Sequence, residues 1–179
     1  MAIEVDQSGK VEDTSKDTVV AYSNDTQYAV LVTRKVKRQI QEFFRLKGLN
    51  RLFTYFLFSY VLYRVLVKMA KTQRITVDVE YPGKEDLVRK LTGVFFKQTK
   101  KKAPEFNFGH IGNHPRAHYA AKNVLDRKIV ANEKILLTEV FEATKIADGH
   151  LRECFSTLVD AQPRLIAVSI TKKRKNVKI

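Results

Sequence analysis

The sequence predicts an α/β protein, a mixed β-sheet flanked by helices. Three observations carry that expectation. Short runs alternate apolar or β-branched residues with polar ones, as in Ile3-Glu4-Val5-Asp6 and Ile75-Thr76-Val77-Asp78-Val79-Glu80. The first three such runs are joined by short polar connections, which favour antiparallel hairpins. Later strand-like runs alternate with segments of helical period, and strands joined through a helix pair in parallel. At 179 residues and 44% hydrophobic, the chain can bury one substantial core.

The elements follow in order. Ile3 to Asp6 is the first strand, and the residues from Gln7 to Ser15 are turn-prone. Asp17 to Tyr22 and Gln27 to Thr33 are the second and third strands, separated by the turn Ser23-Asn24-Asp25-Thr26. Arg34 to Lys47 is a basic helix with Val36, Ile40, Phe43, Phe44 and Leu46 as its apolar stripe, and Gly48 breaks it. Asn50 is placed to cap a second helix, Arg51 to Lys71. Within that helix Leu52 to Val67 is strongly apolar, yet shorter than the ~20 residues that cross a bilayer. It also carries Thr54, Ser59 and Arg64, so it reads as a helix buried under the sheet, and no membrane partner is expected.

Arg74 to Glu80 is the fourth strand, and Glu85 to Lys97 is a helix with Leu87, Val88, Leu91, Val94 and Phe95 at helical spacing. Glu105 to His110 is a short fifth strand. Pro115 suits the first turn of a helix that runs to Lys128. Glu133 to Lys145 and Leu151 to Ala161 read as two helices interrupted at Gly149. Pro163 then precedes the β-branched run Ile166 to Ile170, and Lys172-Lys173-Arg174-Lys175 makes a basic tail. The implied organisation is a core over residues 1–130, a mostly helical extension over 131–170 packed on it, and a tail over 171–179.

Lysine and arginine total 33 against 19 acids, a formal charge of +14. That balance suits a polyanionic partner, above all nucleic acid, and fits a neutral small substrate poorly. Cys154 is the only cysteine, which excludes an intrachain disulfide and a cysteine-based zinc cluster. A lone cysteine and an N-terminus without the pattern of a signal peptide point to an intracellular setting, cytoplasmic or nucleoid-associated.

The acids at the strand ends are the sharpest chemical signal. Residues two apart in a strand share a face, so Glu4 pairs with Asp6, and Asp78 with Glu80. If the two strands are neighbours, carboxylates converge at one end of the sheet. Crowded acids raise one another's pKa, and a divalent cation such as Mg²⁺ relieves them. The competing reading is two solvent-facing acidic strand ends.

The order strand, strand, strand, helix, strand, helix, strand, helix resembles the RNase H-like superfamily, which includes RNase H, the RuvC-type junction resolvases and many transposases. The resemblance covers Ile3 to Lys128, and Asp6-Gln7-Ser8-Gly9 resembles the acid-then-glycine turn of the family's first strand. It implies a five-stranded mixed sheet with its first three strands antiparallel. It also implies active-site acids on the first strand, at the end of the fourth, and early in the last core helix. Asp6 and Glu80 match the first two positions. The last helix begins Pro115-Arg116-Ala117-His118, so His118 stands where the third acid is expected; Asp126 lies two turns further on. A neutral imidazole at His118 can bind a metal or accept a proton.

The resemblance therefore implies a nuclease that uses Mg²⁺ or Mn²⁺ on Asp6, Glu80 and His118, with Glu4 and Asp78 as outer support. Its substrate would be an RNA–DNA hybrid, branched DNA or structured RNA. Two other readings stand beside it: a nucleic-acid-binding scaffold that has lost catalysis, and a basic module that meets an acidic protein. Backbone contacts are expected from Lys10, Arg34, Lys35, Lys37, Arg38, Lys100, Lys101, Lys102 and Arg116.

Other features read as structural. His110, His114 and His118 are spaced by four, but Gly112 and Pro115 interrupt any helix through them, which argues against zinc. Asn113 and His114 can cap the helix or touch phosphate. The peptide Gly109 to Asn113 is either an anion-facing loop or a tight turn. Tyr55, Tyr60 and Tyr63 read as core rather than base-stacking platforms, and Cys154 reads as a core thiol.

Overall fold

A computed structural model describes residues 3–24, 26–69, 74–112 and 115–160. Six strands form one mixed sheet: β1 (Ile3–Ser8), β2 (Thr18–Ser23), β3 (Gln27–Val32), β4 (Ile75–Val77), β5 (Phe106–Phe108) and β6 (Glu133–Lys134). Five helices accompany it: α1 (Arg34–Leu46), α2 (Phe53–Leu66), α3 (Glu85–Gln98), α4 (Arg116–Leu125) and α5 (Leu137–Asp160). The strand order is β5-β4-β1-β2-β3-β6. The first three strands pair antiparallel, while β4, β5 and β6 join in parallel.

Alternation along the strands divides the interior in two. Val20, Tyr22, Val30 and Val32 face the larger core with the helices α1, α2, α3 and α5. Val19, Ala21 and Ala29 face the other way, toward Ala120, Ala121 and Val124 of α4. Both faces of the sheet are therefore covered, as its long apolar strands require. Small residues at the α4 interface let that helix lie close to the sheet. In β1, Ile3 and Val5 point into the larger core, which turns Asp6 toward the α4 side.

Thr33 caps α1, its side chain accepting from the Val36 N–H. Gly48 ends that helix in a left-handed conformation (φ 71°), its N–H bonded to the Arg45 carbonyl. α2 buries residues on all sides between the sheet and α3, and among the described residues no helix is long and apolar enough to cross a membrane. Tyr60 and Tyr63 are buried within it, and Tyr55 packs against the same core.

Several expectations need correction. The sheet has six strands rather than five, because Glu133 and Lys134 add to β3 instead of opening a helix. Asn132 explains why: its Oδ1 accepts from the Ala29 N–H at 2.8 Å, and Ile135 N–H reaches the Leu31 carbonyl at 2.9 Å. α5 runs straight through Gly149. The inward stripe of Val140, Ala143, Ala147 and Leu151 holds it against the larger core. Asn50 opens a short 3₁₀ turn, Asn50–Leu52, without capping α2 through its side chain. β4 stops at Val77, three residues short of Glu80.

Lys37 is also not the surface cation expected. It is fully buried, and its Nζ donates to Lys10 O (2.8 Å), Asp13 O (2.7 Å) and Thr18 Oγ1 (2.8 Å). Helical period accounts for this, since Lys37 shares the inward stripe with Ile40 and Phe44. Burial pulls its pKa down to about 8, against the opposing influence of Asp13, Asp17 and Glu12.

Arg64 of α2 makes a second polar node. It pairs with Glu133 at 2.7 Å and Glu139 at 3.0 Å, and donates to the Tyr60 hydroxyl at 2.9 Å. Tyr28 of β3 donates to the same Glu133 at 2.9 Å. Residues 161–179, which hold Pro163, the run Ile166 to Ile170 and the basic tail, lie outside the described residues, as do Asn113, His114 and the Cys154 side chain.

Candidate metal centre

Asp6 and the segment after β4 meet because β1 and β4 are parallel neighbours, with Val5 beside Val77. Beyond Val77 the chain stays against β1 for one more bond, from Asp78 N–H to the Val5 carbonyl (2.9 Å). It then turns sharply, Glu80 N–H returning to the Asp78 carbonyl at 3.1 Å. That turn brings Asp78 and Glu80 back to Asp6, and oxygens from all three lie within 4.8 Å of one another. They line a cleft of about 370 Å³, together with Gln7, Ile111, Gly112, Pro115 and His118.

The acids are held from several sides. Gln7 N–H lies 2.6 Å from Asp6 Oδ1, and His118 Nδ1 lies 2.9 Å from Asp6 Oδ2. Ile111 N–H donates to Asp78 Oδ1 across 3.4 Å, so the loop after β5 turns a backbone donor toward an acid. Burial, followed by the charges of Asp6 and Asp78, pushes the Glu80 carboxyl up to about 8. Asp6 is raised too, chiefly by burial and with Asp78 adding to it, although Gln7 N–H and His118 pull it down. Gln7, which also lines the cleft, has a buried Oε1 with no hydrogen-bond partner among the described residues.

Crowded, partly desolvated carboxylates form a set of hard oxygen donors. Such a set could hold a hard divalent cation. A larger cleft of about 640 Å³ lies between α1 and α5 around Phe43 and Phe141. Its walls are mainly apolar and contribute one acid, Glu142, so the chemistry points to the smaller cleft.

The structure brings Asp6 and Glu80 together as expected. The third carboxylate is Asp78, from the same turn as Glu80, whereas His118 reaches the site through its bond to Asp6. The spacing Asp78-x-Glu80 carried that information, but only the turn after Val77 shows that both acids face Asp6. Glu4 is not part of the cluster. Asp126 ends α4 and pairs instead with Lys122 (3.1 Å) and Lys128 (3.8 Å). His110 is exposed.

The expected backbone contacts divide by position. Ser8 pairs with Val19 and Val32 with Thr18, so β1 and β3 end at the same edge of the sheet. Lys10, Arg34, Lys35 and Arg38 are exposed at that end of the sheet, and Arg116 is exposed two residues before His118. Lys100, Lys101 and Lys102 are exposed at the opposite edge. They follow α3 and precede β5, whose Phe106 pairs with Ile75 at the start of β4. The 14 residues of α3 put roughly 20 Å between them and the turn that holds Glu80.

Comparison with protein-family models, curated proteins and solved structures finds no match to this chain.

Proposed function

We propose that the protein is a divalent-metal-dependent nuclease of RNase H-like architecture that cleaves phosphodiester bonds in structured nucleic acid. The carboxylate cluster carries this reading: Asp6, Asp78 and Glu80, with oxygens within 4.8 Å, where two parallel strands end in an open cleft. The order β5-β4-β1-β2-β3, with the first three strands antiparallel, supports the architectural part, and β6 is an addition at one edge. The charge of +14 supports a polyanionic substrate.

Asp6, Asp78 and Glu80 would hold Mg²⁺ or Mn²⁺. Bound there, such a cation polarises a phosphoryl oxygen and makes a bound water more acidic. The chain's own groups prepare the site. Gln7 N–H and His118 fix the two oxygens of Asp6, so its orientation is set in advance. With Nδ1 engaged by Asp6, Nε2 is the ring atom of His118 left to exchange a proton in the cleft. Lys10, Arg34, Lys35, Arg38 and Arg116 are exposed at the same end of the sheet and suit the phosphate backbone. Asp78 brings the number of clustered carboxylates to three, which favours catalysis over a scaffold that only binds.

The test is cleavage of an RNA–DNA hybrid, a four-way junction and a structured RNA with Mg²⁺ or Mn²⁺. Wild type should cut at least one of them. Asp6→Asn, Asp78→Asn and Glu80→Gln should each lower the rate by about 100-fold or more while still binding, because each amide keeps shape and removes a ligand charge. Binding without cleavage by wild type would leave the scaffold reading. Absence of binding at low salt would leave the protein-interaction module.

A further inference from the structure

The outer face of α4 is not used by the carboxylate chemistry. Ala117, Ala120, Ala121 and Val124 bury the inner face. Tyr119 and Lys122, three residues apart, therefore share the outer one. His118 and Lys122, four apart, are neighbours along its flank. The rings of His118 and Tyr119 meet edge to face, their centroids 6.0 Å apart, and His118 in turn touches Asp6. Tyr119 is 48% exposed although it is large and aromatic. The segment from Pro115 to Lys128 carries Arg116, Lys122, Arg127 and Lys128 against one acid, Asp126. An exposed aromatic ring thus shares a helix face with Arg116 and Lys122, the latter also paired with Asp126 at 3.1 Å, one residue from the group that touches the metal-binding acids.

That combination matches the recognition of single-stranded nucleic acid, in which bases stack on aromatic rings while cations track the backbone. A base inside a duplex has both faces covered by its neighbours, so a side-chain ring stacks on an unpaired one without the cost of prising a step apart. We propose that the outer face of α4 is a track for one unpaired strand: Tyr119 stacks on the base beside the scissile phosphate, and Lys122 meets the phosphate next to it. The substrate is then a nucleic acid with a single-stranded segment, bulge or branch at the cut, rather than an uninterrupted duplex. The position of the scissile phosphate rests on the nuclease reading, whereas the binding face does not.

The experiment uses the full chain in chelator, so that binding is read without cleavage. The probes are a single-stranded oligonucleotide containing 2-aminopurine and a blunt duplex of the same sequence. Tyr119→Ala should weaken single-strand binding about tenfold or more and abolish quenching of the 2-aminopurine, and Tyr119→Phe should retain both. Duplex binding should be unchanged in either variant. Lys122→Gln should reduce the salt slope of single-strand binding by about 0.7. Equal melting temperatures exclude misfolding as the cause.

Wild-type binding or quenching by Tyr119→Ala, or equal losses on single strand and duplex, would overturn the track. If wild type binds no nucleic acid, the track and the nuclease reading fall together. If quenching depends on Tyr119 but no substrate is cut with Mg²⁺ or Mn²⁺, the track stands and the nuclease reading falls. If wild type cuts and Tyr119→Ala is unchanged in binding and quenching, only the track falls.

Discussion

At the scale of single residues, Glu80 shows how the cleft works against its own charge. Its carboxyl is raised to about 8 by burial and by Asp6 and Asp78, whereas in the unfolded chain it titrates near 4.5. Between those values the folded state holds a proton that the unfolded state has released. Stability from this group is therefore full below about 4.5 and is lost as pH rises through about 8. Melting curves of metal-free protein should show that decline, and Glu80→Gln should flatten it. Adding Mg²⁺ or Mn²⁺ at pH 8 should raise the melting temperature of wild type more than that of Glu80→Gln, since a cation binding only the folded state stabilises it. Asp6 was legible because alternation fixes which face a strand residue takes, whereas Glu80, expected on a longer fourth strand, reaches Asp6 through the turn after Val77. Asp78 was legible only as support, because periodicity cannot reveal the turn that swings it toward Asp6. Tyr119 carried no signal beyond its place beside His118.

At the scale of elements, the loop between β1 and β2 is pinned from beneath by α1. Lys37 Nζ gathers two carbonyls and a hydroxyl, and Arg38 Nε reaches Thr14 O at 3.0 Å from the exposed side. Gly9 begins the loop at φ 75°, and any side chain there would collide with the Asp17 carbonyl. Lys37→Met should cost about 1–3 kcal/mol in denaturant unfolding, because two partly buried carbonyls and the buried Thr18 hydroxyl lose their donor. A loss below about 0.5 kcal/mol would mean that water replaces the amine. The sequence revealed the long elements well, since each has a strong period of 2.0 or 3.6. It failed at β6, a two-residue pairing of Glu133 and Lys134 held largely by the Asn132 side chain. It failed again at Gly149, whose intrinsic cost of about 1 kcal/mol in a helix is offset by burial of Ala147 and Leu151 on either side. Lys37 was misread because charge was counted where helical phase should have been followed.

At the scale of the molecule, the positive charge is not one field aimed at one site. Lys10, Arg34, Lys35, Arg38 and Arg116 lie on the acidic edge, and Lys100, Lys101 and Lys102 on the opposite edge. Replacing Lys100, Lys101 and Lys102 together by alanine should leave cleavage of a short substrate and its salt dependence unchanged. Replacing Arg34, Lys35 and Arg38 should lower the salt slope on duplex DNA by roughly 0.9 for each phosphate that is no longer neutralised. An equal effect from both triplets would mean that the charge acts through the net field alone. Composition made the charge legible, but only strand direction sorts it between the two edges.

The closing strand also sets a schedule for folding. Val30 pairs with Glu133, so the outer edge of β3 stays open until a segment about a hundred residues later has been made. Until then a row of backbone donors and acceptors faces solvent, ready to pair with another copy, and Arg64 waits in an apolar helix for Glu133 and Glu139. A nascent chain ending at residue 130, the border that the sequence suggests for the core, would hold the three clustered acids yet leave the edge unpaired and the arginine without its two carboxylates. Such long-range closure is slow compared with local pairing. The acids can therefore gather early, while protection against misassembly arrives late, with the segment that contributes no ligand to the cleft.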